Sequence, residues 1–157
     1  MNELAISGAF ATALMILFSL KFENKVKVVD NTIHVLKMFG IQNLVLDALI
    51  KAREMYKDGL DIFEGIIKIG NSGFVVHTVG VSAFSFLKNE NYLNSVLPLI
   101  KSGGDADTNA AVTGAITGAF YGIDSIPSEL IDKLEDGKKI LRYANELYEI
   151  WNKKEKL

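Results

Sequence analysis

Asp105, Asp107 and Thr108 stand close together in the chain, directly behind Gly103 and Gly104 and ahead of Asn109. Two carboxylates and a hydroxyl in that spacing are hard oxygen donors, the kind that Mg²⁺ or Ca²⁺ takes as ligands. The glycine pair lets the backbone turn sharply enough to aim them. A second reading rests on helix chemistry. An acid at the start of a helix accepts hydrogen bonds from first-turn amides that have no partner within the helix. One cap explains one carboxylate well and two poorly, because neighbouring anions repel. On the residues alone, a metal site and a doubled cap both stand.

The run behind the acids is built of small residues. Ala110, Gly114, Gly118 and Gly122 fall on one i+4 row, flanked by Ala111, Ala115 and Ala119. Glycine inside a helix costs roughly 1 kcal/mol against alanine, so this row predicts a backbone packed unusually close. A membrane-type glycine zipper needs about 20 apolar residues, more than this run supplies. His34 and His77 are the only histidines, and no zinc-binding spacing joins them. His34 reads as a surface residue of a helix. His77, beside Thr78 after the Gly70-Asn71-Ser72-Gly73 loop, is the better functional candidate. No nucleophile elbow, P-loop or dinucleotide-binding glycine pattern is present.

These groups have to be positioned by helices. Leu4 to Leu20 carries no charged residue and predicts a helix apolar nearly all round, central in the fold. Ser7, Gly8, Thr12 and Ser19 dilute it, and Glu3 rather than a basic residue leads it, so a buried helix is preferred over a membrane anchor or signal. Apolar steps of three and four predict further helices over 26–39, 45–58 and 60–69. A fifth runs from Phe74 to Leu87, with Thr78, Ser82 and Ser85 as a mildly polar edge. A sixth lies around Leu93, Val96 and Leu97, where Pro98 should kink or end it. After the acidic motif, a short helix around Leu130 and Ile131 precedes a strongly amphipathic one through Ile140, Leu141, Ala144, Leu147, Tyr148 and Trp151. No strand pair, hairpin or repeat is apparent. The expectation is an all-α, compact single-domain bundle of about eight helices.

Composition agrees with a globular domain. The 157 residues are 49% hydrophobic and 23% charged, which argues against disorder. A net charge of −2 provides no footprint for nucleic acid. Lys153, Lys154 and Lys156 form the one basic cluster and read as a solvated helix end. The absence of cysteine excludes disulfides, thiol nucleophiles and Cys-ligated metals from this chain, and fits a cytoplasmic protein.

Gly104-Asp105-Ala106-Asp107-Thr108, followed by Ala110-Ala111, Gly114-Ala115 and Gly118-Ala119-Phe120-Tyr121-Gly122, resembles the C-terminal signature of the ADP-ribosylglycohydrolases. Gly73 to Thr78 with Ala83-Phe84, Ile126-Pro127, and Ile6 to Ala9 with Ala11 to Ala13 resemble flanking segments of that family. The resemblance implies an all-α hydrolase in which a pair of Mg²⁺ or Mn²⁺ ions helps to cleave a glycosidic bond of ADP-ribose. It implies Asp105, Asp107 and Thr108 as metal ligands, with Gly103, Gly104 and His77 beside the substrate. The family's N-terminal portion, with a G-D motif and a T-D-D-T cluster, has no counterpart here. The chain therefore reads as an N-terminally truncated member, and no catalytic acid or base is assigned in it. Two functions follow. One is hydrolysis of ADP-ribosylated protein or small molecule, completed by an N-terminal portion or partner chain. The other is a non-catalytic homologue that binds metal, self-associates or serves a structural role.

Overall fold

A computed structural model of the chain describes residues 2–154. Of the lysine cluster, Lys156 lies outside the described residues, as do the side chains of Lys153 and Lys154. The chain forms two compact units, Met1–Ser125 and Ile126–Leu157. The first contains α1 (Glu3–Ser19), α2 (Lys25–Met38), α3 (Leu44–Lys57), α4 (Ile62–Ile69), α5 (Val75–Lys88), α6 (Tyr92–Lys101) and α7 (Ala106–Tyr121), then a single 3-10 turn at Ile123–Ser125. The second holds α8 (Ser128–Asp132) and α9 (Gly137–Lys154). The described residues thus contain nine α-helices and no strand, an all-α fold as expected.

Local chemistry explains most of the helix starts. Asn2, Asn24, Asn43, Asp61 and Asn91 each stand at an N-cap, and each side-chain oxygen accepts a first-turn amide at 2.8–3.1 Å. Such caps are worth about 1 kcal/mol apiece. Pro98, expected to kink or end α6, lies inside it, and the helix runs on to Lys101. Proline removes the amide that would have bonded Asn94, and Asn94 is exposed, so water is at hand for the freed carbonyl. The break comes at Ser102, whose hydroxyl donates to the Pro98 carbonyl at 2.7 Å.

The centre of the first unit is α5, not α1. Thr78 to Leu87 are buried without interruption, and α5 packs against α1, α2, α3, α4, α6 and α7. At its middle, the Phe84 ring occupies the space that a Cβ on Gly65 of α4 would need. Two of its three buried hydroxyls find partners on neighbouring helices. Ser82 Oγ lies 2.9 Å from Thr113 Oγ1 of α7, and Ser85 Oγ donates to the Ser95 carbonyl of α6 at 2.6 Å. The helix α1 packs on α2, α3, α5 and α7 but leaves Ile6, Ala9, Ala13, Leu17 and Leu20 exposed. Its apolar sequence overstated its burial. Among the described residues, no helix is long and apolar enough to cross a membrane.

Three helices, α1, α5 and α7, begin at one end of this unit. Gly8 of α1 abuts Val75 and Val79, at the start of α5. Asn109, in the first turn of α7, bonds the loop that leads into α5, and Phe86 meets Phe120 further along. At the far end, Ser19 and Leu20 line a groove with Ala119 and Phe120.

In the second unit, α9 shows the amphipathic face expected of it, and among the described side-chain positions only Gly137 is buried. Gly137 opens α9, and α8 has already ended at Asp132.

Candidate metal centre

The acidic motif sits where the chain leaves α6 and starts α7. Gly103 and Gly104 both adopt the left-handed region, with φ of +67° and +71°. Space is open around Gly103, whereas a Cβ on Gly104 would run into the Asn71 carbonyl oxygen and side chain. That close approach lets the Asp105 amide donate to the Asn71 carbonyl at 2.9 Å. Asn109 Nδ2 donates to the same carbonyl at 3.0 Å. In return, Asn71 Nδ2 donates to the carbonyls of Ser102 at 2.9 Å and Gly103 at 3.2 Å. Asn71 is the hub that ties the Gly70–Gly73 loop to the acidic motif. The sequence marked it only as part of a loop.

The loop is also the floor of the site. The carboxylate of Asp105 lies over Gly73, at the position where a side chain there would begin. The ring of His77 covers Gly70 in the same way. His77 Nδ1 and Ser72 Oγ share a hydrogen bond of 2.8 Å, and the ring stands edge-on to Phe74 with centroids 5.5 Å apart. Four residues of loop therefore gather His77 from α5 and Asp105 from α7. His34 lies elsewhere, exposed on α2.

The carboxylate of Asp105 is not spent on capping. Asp105 occupies the N-cap position of α7, yet its side chain accepts none of the first-turn amides. The five other Asn and Asp caps of this unit all do so, which sets Asp105 apart. Asp107, fully exposed, accepts the Thr108 amide at 2.9 Å. A hydrogen bond with Asp105, then the amides of Thr108 and of Asp107 itself, hold the Asp107 carboxyl below the usual carboxylate range. Among the described residues neither carboxyl takes part in an ion pair, and no third acidic or imidazole side chain joins them. The donor set is carboxylate oxygen, with Thr108 next to Asp107 in the chain. Carboxylate oxygens are donors of the kind a hard divalent cation takes.

Behind the acids the wall is polar and incomplete. The side-chain oxygens of Asn109 on α7 and Thr78 on α5 are buried without a hydrogen-bond partner. Each lies one turn before the Ser82–Thr113 contact. The small-residue row of α7 faces a side chain and not another backbone. A Cβ on Gly114 would lie 3.1 Å from the Tyr92 hydroxyl, and one on Gly118 3.9 Å from the Tyr92 ring. At the other end of α7, the Tyr121 hydroxyl and Lys25 Nζ donate to the Asn89 carbonyl at 3.1 and 2.6 Å. Burial, reinforced by Glu90, pushes the Tyr121 phenol up, and burial pushes Lys25 down.

The profile of the ADP-ribosylglycohydrolases matches residues 2–156. The chain belongs to that family. It is 39% identical over 88 residues to a putative ADP-ribosyl glycohydrolase of Acanthamoeba polyphaga mimivirus, a match covering 56% of this chain and 26% of the viral protein. It is 35% identical over 81 residues to the ADP-ribosylarginine hydrolase Tri1 of Serratia proteamaculans, covering 52% of this chain and 22% of Tri1. An uncharacterised protein of Archaeoglobus fulgidus matches at 28% identity over 146 residues, 93% of this chain and 46% of that protein. The chain thus spans less than half the length of these relatives. No solved structure gives a significant match.

Proposed function

We propose that Asp105, Asp107 and Thr108 form part of a divalent-cation site, and that this chain takes part in hydrolysis of the glycosidic bond joining ADP-ribose to a protein or small molecule. The observation that carries the reading is the acid pair itself. Its two carboxyls lie side by side, and the one at the helix start is withheld from the capping task that five comparable residues perform. Names borne by the relatives, ADP-ribosylarginine hydrolase among them, support the substrate class.

Mg²⁺ or Mn²⁺ at this position would supply Lewis-acid polarisation and a template for water and ribose oxygens. The residues of the chain do the positioning. Asn71 fixes the Gly103–Asp105 turn, so the Asp105 carboxylate is aimed before any ligand arrives. The left-handed glycines keep the approach to the acids free of side chains. The Ser72 hydrogen bond pins the His77 ring at Nδ1 and leaves Nε2 as its other nitrogen for a ligand hydroxyl. No carboxylate of this chain is assigned the proton transfer at the scissile bond. In our reading that group, and the ligands of a second ion, come from a polypeptide bearing the family's T-D-D-T cluster.

The test is release of ADP-ribose from an arginine-ADP-ribosylated protein with Mg²⁺ or Mn²⁺, by this chain alone and mixed with a T-D-D-T-bearing polypeptide encoded beside it. Turnover that is lost on Asp107→Asn supports the proposal. Absence of turnover in both arms defeats the hydrolase reading and favours a metal-binding or interaction protein.

A further inference from the structure

The uncharged length of α1 is covered on one side only. Along its bare side Ile6 is 49% exposed, Leu17 44% and Leu20 68%, with Ala9 and Ala13 exposed between them. Phe39, 71% exposed, stands edge-on against Phe10 at 5.4 Å and widens the patch. An apolar strip of this kind, about 21 Å long at 1.5 Å per residue, is the usual mark of an interaction surface.

We infer that its occupant is a second copy of the chain, whose α1 lies antiparallel across this strip about a two-fold axis at Ala13. The spacing of the strip is symmetric about that residue. Ala9 and Leu17 are each four residues from it, and Ile6 and Leu20 each seven. A two-fold axis there sets Ala13 against Ala13, Ala9 against Leu17 and Ile6 against Leu20. Small side chains meet small ones at the axis, where the backbones approach, and the larger side chains fill the space on either side. A parallel pairing would instead stack Leu17 on Leu17 and leave a gap at Ala9.

The charges agree with this direction. Glu3 at the start of α1 and Lys21 just beyond its end are both exposed. Antiparallel copies bring Glu3 of each towards Lys21 of the other at both ends, whereas parallel copies would juxtapose like charges. Glu23, the next acid, lines a separate groove with Lys25 and Tyr121. The middle of the strip has no charge to desolvate. Such a contact is isologous and closes at two copies. Two helices with modest flanks lie at the small end of stable interfaces, so the pairing is a reversible equilibrium. It goes beyond the proposed hydrolase reading and holds whether or not the acids take a cation.

Light scattering coupled to gel filtration over a concentration series reads the pairing directly. The expected result is a mass that rises with concentration from 17.3 kDa towards twice that value. Ala13→Glu sets two carboxylates face to face at the axis and should keep the chain at 17.3 kDa throughout, with an unchanged thermal melt because the site is exposed. Orientation is read by cysteine cross-linking in a chain that otherwise has none. Under mild oxidation Ala13→Cys should link to itself. Ile6→Cys and Leu20→Cys should link when mixed and not when alone. A monomer at every concentration, a dimer untouched by Ala13→Glu, or self-linking of Ile6→Cys in preference to Ala13→Cys would each overturn the inference.

Discussion

Adding a single methyl at Gly73 should separate the fold from the cation site. A Cβ there would land on Asp105 Oδ2, with the carboxyl carbon 3.3 Å away. Gly73 is not one of the left-handed glycines, so alanine fits its backbone. The cost to folding is therefore small. Restricting the unfolded chain contributes about 0.4–1 kcal/mol in favour of the variant, and rotation of one partly exposed carboxylate relieves the contact. That rotation removes Asp105 from its aimed position. Disturbing the immediate surroundings of a metal ligand typically costs about 10- to 100-fold in affinity, equivalent to about 1.4–2.8 kcal/mol. Calorimetric titration of Mn²⁺ into native chain, Gly73→Ala and Asp105→Ala, with a thermal melt of each, provides the measurement. The expected pattern is weakened uptake in Gly73→Ala at unchanged or raised melting temperature, and loss of uptake in Asp105→Ala. If Gly73→Ala bound as tightly as the native chain while Asp105→Ala did not bind, the placement of the carboxylate over the loop would be refuted.

Three further outcomes are expected. Gly103→Ala should cost about 1–2 kcal/mol for a left-handed alanine. Gly104→Ala should exceed it by about 1 kcal/mol or more, because its methyl also meets Asn71. Equal urea midpoints for the two would remove the Asn71 contact from the argument. Gly65→Ala should destabilise by about 1–3 kcal/mol through overpacking against Phe84, despite the roughly 1 kcal/mol that alanine contributes to a helix; a more stable variant would show that the ring has room to move. Tyr121 is held neutral to higher pH than an ordinary phenol. Its stabilising effect is complete below the unfolded value of about 10 and is lost as pH rises through the higher folded value. Tyr121→Phe should therefore abolish the latest component of phenolate absorbance in an alkaline titration. It should also cost about 0.5–1.5 kcal/mol at neutral pH for the bond to Asn89.

The sequence was most legible where one chemical type repeats at one period. The helices α2, α3 and α9 could be read from apolar steps of three and four. Burial was harder to read. Both Leu4–Ser19 and Phe74–Leu87 are free of acids and lysines, but the second is central and the first is half bare. Thr78, Ser82 and Ser85 looked like a polar edge. Ser82 and Ser85 lie instead in the core, their hydroxyls bonded to neighbouring helices, and no periodicity could announce those partners. The acid pair was legible from residue type and spacing. Its support was not, because Asn71 and Asp105 are brought together by tertiary packing across two intervening helices. Gly114 and Gly118 led to the expectation of a close backbone, whereas their neighbour is the Tyr92 side chain.

The most direct test of the cation site is electron paramagnetic resonance of Mn²⁺ titrated into the native chain, Asp105→Ala and Asp107→Asn. Free Mn²⁺ gives a sharp signal that broadens away on binding. The native chain should suppress it saturably, and both variants should leave it close to that of Mn²⁺ in buffer while keeping the native melt. Equal suppression by all three proteins, or none by the native chain, would contradict the assignment of Asp105 and Asp107 as cation ligands.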